Sequence, residues 1–253
     1  MPRTRTQIEA EDGHCPTYVV VPDGAGPWPG VIVYMDAIGM RPAMIEIAER
    51  IAGEGYYVLL PDLFYRVEFD ASLGPKVFTD PAARADLMTR VIPSASAANI
   101  MRDTEAFLAH FDNEPRVRSD RIGIVGYCMG GRLALYAAGH FGERIAAAAA
   151  YHPGGVATDA PDSPHRLASR IKARVYIARA VQDPNFDDAQ QARLERALTD
   201  AGVDHTIETY NARHGFVPSD MPVHDAAATE RHWKTLLELF DRTLKAGEAN
   251  PGA

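Results

Sequence analysis

Short apolar runs and helically spaced apolar stripes alternate along this chain, with Gly- and Pro-rich punctuation between them. The runs Tyr18–Val21 and Val31–Tyr34 are brief and β-rich, and the turn-forming segment PDGAGPWPG divides them. They read as an opening hairpin that feeds a buried strand. Met44, Ile45, Ile47, Ala48 and Ile51 follow at mostly helical spacing, Gly53 and Gly55 act as stop signals, and Tyr57–Leu60 reads as the next strand. From Phe64 to Pro93 the pattern loses its regularity, although PAARADLMTRVI is compatible with a short helix. A connection of that length, over about 64–93, is expected to be a lid or to border a pocket.

Beyond it, Ile100, Thr104, Phe107, Leu108 and Phe111 share one face of a helix that begins at serines. RIGIVG, RIAAAAAYHP as far as Tyr151, ARVYIARA and VDHTIETY supply four more strands. Helices over Met129–His140 and DDAQQARLERALTDAG separate them, and VHDAAATERHWKTLLELFDRTL closes the chain as a helix. Strands and helices alternating at this spacing predict an α/β fold, with a mainly parallel central sheet and helices on both faces. A length of 253 residues suits a single domain of that kind, and the tail over about 247–253 reads as frayed.

Composition narrows the function classes. The net charge of −8, without any run of lysine or arginine, argues against a nucleic-acid partner. No apolar stretch has the length of a signal peptide core or a membrane span, so the expected location is the cytoplasm. Two cysteines, Cys15 and Cys128, are too few for a disulfide framework or a metal site, and no metal or cofactor is expected. Nothing in the chain sets the assembly state beyond a monomer or small homo-oligomer.

Chemistry concentrates in GIVGYCMGGRLAL, where Cys128 stands in a G-x-C-x-G pattern between a strand and a helix. Glycines there permit a tight turn that exposes the side chain. The helix start behind it favours a thiolate and offers N–H groups to a developing oxyanion, that of Met129 first. Asp183 follows the strand ARVYIARA, and His214 follows VDHTIETY. Loops beyond the carboxyl ends of parallel strands meet on one sheet edge, and the order Cys, Asp, His is that of an α/β-hydrolase. His214 would then move the proton and Asp183 would orient its ring. Read one at a time, Cys128 could be a small buried apolar residue, and Asp183 could cap the helix that follows PNF.

With these residues in view, the chain resembles the dienelactone hydrolase family of the α/β-hydrolase superfold. GVIVYMDAIG, GYYVLLPDLFYR, GIVGYCMGGRLAL, VQDPNF and RHGF carry the resemblance over nearly the whole length. It implies a cofactor-free hydrolase of a small carboxylic ester or lactone, with Cys128 as nucleophile, Asp183 as acid and His214 as base. It further implies that Asp36 stands where the family carries a glutamate that contacts the thiol, and that the Ala37 N–H is the second oxyanion donor. No arginine follows His214 in HGFVPSD, where members of the family grip a substrate carboxylate, while Arg84 or Arg90 answers loosely to a second such arginine. Tyr65, Tyr151 and His152 stand where loops are expected to border the pocket. A thioesterase or acyl transferase on the same fold, or a ligand-binding or stress-response protein without turnover, are the competing readings.

Overall fold

A computed structural model describes residues 3–70 and 76–245, so the tail expected to fray lies outside the described residues. Eight strands form one sheet: β1 (Arg3–Ala10), β2 (Gly13–Val20), β3 (Trp28–Tyr34), β4 (Tyr57–Pro61), β5 (Val117–Tyr127), β6 (Ile145–Tyr151), β7 (Arg174–Ala180) and β8 (His205–Tyr210). Their order across the sheet is β1-β2-β4-β3-β5-β6-β7-β8. Pairs from β4 to β8 are parallel, and only β1 on β2 and β2 on β4 are antiparallel. The principal helices are α1 (Pro42–Gly53), α2 (Pro81–Asp86), the short α3 (Ile92–Ser94), α4 (Ala97–Asn113), α5 (Met129–His140), α6 (Asp188–Asp200) and α7 (Ala226–Leu244). None of those described is long and apolar enough to cross a membrane.

The opening hairpin differs from the sequence reading. The strand at Tyr18 pairs with β1 and β4, and β3 lies on the far side of β4. The residues of β1, RTRTQIEA, are mostly polar and exposed, as suits an outer edge strand. They therefore carry no apolar run to announce it.

Central strands are buried on both faces, because helices cover each side of a parallel sheet. In β6 the alanine run makes room for α5: a Cβ added at Gly131 would lie 3.4 Å from the Ala150 Cβ and 3.0 Å from that of Pro153. The starts of α2, α4, α6 and α7 follow the capping rule. Ser96 Oγ accepts from the Asn99 N–H at 3.2 Å ahead of α4, and Asp187 Oδ1 accepts from the Gln190 N–H at 2.8 Å ahead of α6. Because Asp187 caps α6, Asp183 is not needed for that role.

Candidate active site

Three neighbouring strands, β5, β6 and β7, end in the same unusual way. Cys128 (φ 52°), His152 (φ 40°) and Gln182 (φ 54°) all adopt left-handed backbone just past the strands' carboxyl ends. Such geometry costs an L-residue on the order of 1–3 kcal/mol and persists only where the surroundings enforce it. Here glycine supplies the room. A Cβ at Gly126 would lie 2.0 Å from the Gly130 carbonyl oxygen, and one at Gly130 would lie 2.3 Å from the Tyr34 carbonyl oxygen. Both glycines of G-x-C-x-G are thus steric requirements: β5, α5 and the end of β3 could not otherwise close around Cys128.

The turn brings together the three residues singled out in the sequence. His214 Nε2 lies 3.1 Å from Cys128 Sγ, and His214 Nδ1 donates to Asp183 Oδ2 at 2.6 Å. Asp183 is further fixed by the Asn185 N–H, which donates to its Oδ1 at 2.9 Å. Burial alone would lower the pKa of His214, but the hydrogen bonds to Asp183 and Cys128 outweigh it and raise the pKa to about 10. Burial works against ionisation of Asp183 as well, yet the His214 hydrogen bond prevails and its pKa is lowered. The ring is therefore held as an imidazolium beside a carboxylate and a sulfur.

A cleft of about 630 Å³ opens over the thiol. Ala37, Cys128, Met129, Arg132 and His214 line it from the sheet edge, while Val77, Phe78, Arg84, Leu87, Met88 and Ile92 line it from the connection before α4. That connection contains α2, a π-helical turn at Leu87–Val91 and α3. Arg84 lines the cleft. Arg90 instead pairs with Asp86, with Nη2 to Oδ2 at 2.6 Å.

Four other expectations are corrected. Asp36 does not keep its carboxylate for the thiol. Arg41 takes both oxygens, at 2.7 and 2.9 Å, the Ile38 N–H donates to Oδ1 at 3.0 Å, and Arg41 is also held by Asp220. A buried carboxylate is most stable against a bidentate guanidinium, and Arg41 lies only five residues on. Tyr151 turns into the core, where its hydroxyl donates to the His232 carbonyl oxygen at 3.2 Å and lies 3.0 Å from Thr235 Oγ1 on α7. Tyr65 lies off the cleft and donates to Asp103 at 2.9 Å. His152 is fully buried behind the site, with its ring 5.3 Å from that of His214 and 5.0 Å from that of Phe216. Burial, reinforced by His214 and His232, keeps His152 neutral, and neither of its ring nitrogens has a hydrogen-bond partner among the described residues.

Sequence reasoning missed Arg132, Phe78 and Met88. The signal for Arg132 was available, because it follows Cys128 by four residues at the start of one helix and so shares its face. Its Nε is buried without a hydrogen-bond partner. Cys15, by contrast, is a buried residue of β2 and donates to the Asp62 carbonyl oxygen at 3.5 Å, and burial pushes its thiol pKa up to about 12.

A thiol on the elbow after β5, a carboxylate after β7 and an imidazole after β8 of such a sheet define an α/β-hydrolase fold. Comparison with known proteins gives the particular family. The dienelactone hydrolase family profile matches residues 15–244, and the chain belongs to that family. A carboxymethylenebutenolidase of Rhodococcus opacus is 27% identical over 98% of this chain and 97% of its own. A Synechocystis protein named as a candidate carboxymethylenebutenolidase is 27% identical over 90% of this chain and 92% of its own. The fold is shared with a Klebsiella pneumoniae protein solved as a candidate dienelactone hydrolase, at a TM-score of 0.84 and 23% identity, covering 95% of this chain and 98% of that one.

Proposed function

We propose that the protein hydrolyses a carboxylic ester or lactone through a thioester formed on Cys128. The observation that carries this reading is the hydrogen-bonded chain Cys128–His214–Asp183 at the floor of a cleft, with links of 3.1 and 2.6 Å. His214 holds the thiol proton as an imidazolium, and the thiolate so formed attacks the substrate carbonyl carbon. The carbonyl oxygen becomes an oxyanion, for which the N–H groups of Met129 and Ala37 are the donors. Both residues line the cleft, and Met129 starts α5, so its N–H is not consumed within the helix. Collapse of the adduct breaks the C–O bond, and the imidazolium gives its proton to the leaving oxygen. Water then attacks the thioester as His214 removes its proton, which releases the acid and restores the thiol. Asp183 stabilises the imidazolium in both halves without taking the proton itself.

Replacement Cys128→Ala tests this directly. Hydrolysis of a panel containing a dienelactone, a butenolide and short aryl esters should fall to the uncatalysed rate while the far-ultraviolet circular dichroism stays as in the wild type. Turnover retained in the variant overturns the thioester route. Inclusion of an acyl-CoA in the same panel separates ester hydrolysis from a thioesterase preference.

A further inference from the structure

Phe78 and Met88 are the large apolar side chains that stand exposed among the described residues, at 52% and 58% of their surface. Both line the cleft that holds Cys128 and His214. Neither sits on a loose segment. The residue before each one, Val77 and Leu87, is buried in the core, so the covering segment is pinned at the two points from which these side chains project. The segment therefore holds two apolar groups over the thiol, as contact surface for something that enters the cleft. Arg84 between them is itself exposed, which leaves its charge in water. The cationic group on the sheet side is Arg132, across the cleft opening and one helical turn beyond Cys128.

We propose that Phe78 and Met88 form an apolar subsite for the substrate, and that the preferred substrates are esters bearing an alkyl or aryl group of substantial size. This rests on the hydrolase reading given above and deepens it. A cleft of about 630 Å³ falls in the range that encloses most of a drug-sized molecule, well beyond what a lactone of a few carbons fills. Covering two half-exposed apolar side chains with a substrate chain removes apolar surface from water on both partners, which is the driving force of the subsite. Continuity with the thiol identifies substrate, in preference to another protein, as the group that covers them.

The test compares 4-nitrophenyl esters from acetate to octanoate, using the wild type and the double variant Phe78→Ser with Met88→Ser. In the wild type kcat/KM should rise about two- to fourfold per added methylene until the cleft is filled. In the variant the slope of log kcat/KM against chain length, taken from its own series, should fall by half or more. A wild-type series that is flat, or a slope the double variant leaves unchanged, overturns the proposal. So does a concentration-dependent dimer in sedimentation velocity that the double variant dissolves, because a second copy would then cover the patch. Occupancy is read without turnover by protection of Cys128 from iodoacetamide with unreactive alkyl phenyl ketones of increasing chain length. If the wild type hydrolyses none of the esters, the hydrolase reading fails by itself. Protection that strengthens with chain length still supports the apolar subsite in that case, and protection independent of chain length overturns it.

Discussion

Replacing Asp183 by Asn keeps the shape of the site but removes the charge that holds His214 as an imidazolium. In the native site the carboxylate accepts from His214 Nδ1 at 2.6 Å, which leaves Nε2 facing the sulfur at 3.1 Å. An Asn side chain can instead present its NH2 to Nδ1. The ring then carries its proton on Nε2, and the nitrogen that must accept the thiol proton is already occupied. The magnitude follows from the raised pKa. A rise from 6.5 to about 10 corresponds to on the order of 5 kcal/mol in favour of the charged ring. Asp183 and Cys128 both contribute to it. Loss of the carboxylate is expected to remove on the order of 2 kcal/mol of it, which weakens the preference for the charged ring about thirtyfold.

Alkylation by iodoacetamide reads that population directly, since it needs the thiolate and no substrate. Cys15 does not compete, being buried with its thiol pKa at about 12. For Asp183→Asn we expect the rate at pH 7 to drop by up to about thirtyfold. Ester hydrolysis should drop further, on the order of a thousandfold or more, because the proton must also be returned to the leaving group. A variant that alkylates at the wild-type rate across the whole pH range would refute the reasoning, whatever its hydrolysis.

Stability should follow the same linkage. The folded-state pKa of His214 lies above its unfolded value, so its contribution is fully present below pH 6.5 and is lost as the pH rises through about 10. Asp183 has a lowered pKa, so its contribution is present above 3.8 and is lost as the pH falls through the folded value. The urea midpoint of the wild type should therefore exceed that of Asp183→Asn most between pH 3.8 and 6.5 and converge on it towards pH 10. A gap that widens over that alkaline interval contradicts the linkage. For the elbow, Gly126→Ala places a Cβ 2.0 Å from the Gly130 carbonyl oxygen and should cost about 3 kcal/mol or more in urea unfolding. Gly202→Ala, at a positive φ of 69° but with nothing within 4 Å, should cost about 1–2 kcal/mol, and equal losses at the two sites would refute the steric account.

The parts of this molecule legible in the sequence are those fixed by local pattern. Cys128, Asp183 and His214 could be found because each directly follows a recognisable strand, and parallel strands deliver such residues to one edge. The mistakes concern where side chains point and what neutralises them. Asp36 and the thiol were close candidates for one another, but a sequence does not show whether a carboxylate meets a sulfur or the guanidinium of Arg41. Tyr151 ends a strand at the right edge, yet its ring belongs to the face that meets α7, where Thr235 accommodates its hydroxyl. The strand β1 escaped notice because an exposed edge needs no apolar run. Phe78 and Met88 were hidden for the opposite reason, since apolar letters in a sequence suggest core and these two face the cleft.

The left-handed backbone at Cys128, His152 and Gln182 links the site to the sheet in a way no single residue reveals. At each of these strand ends the parallel ladder is carried one step further. The Cys128 N–H donates to the Tyr151 carbonyl oxygen at 3.0 Å, the His152 N–H to that of Ala178 at 2.7 Å, and the Val181 N–H to that of Tyr210 at 3.0 Å. The conformation of each turn therefore depends on the next strand being in place, from β5 through to β8. Distorting Cys128 out of its elbow would mean breaking the last rung of a buried sheet, whose local opening is among the costliest in a protein of this kind. The elbow that carries the thiol is thus tied to the rungs of the central sheet. The other wall of the cleft comes from the segment that carries Phe78 and Met88, which is pinned at Val77 and Leu87 but is not part of the sheet.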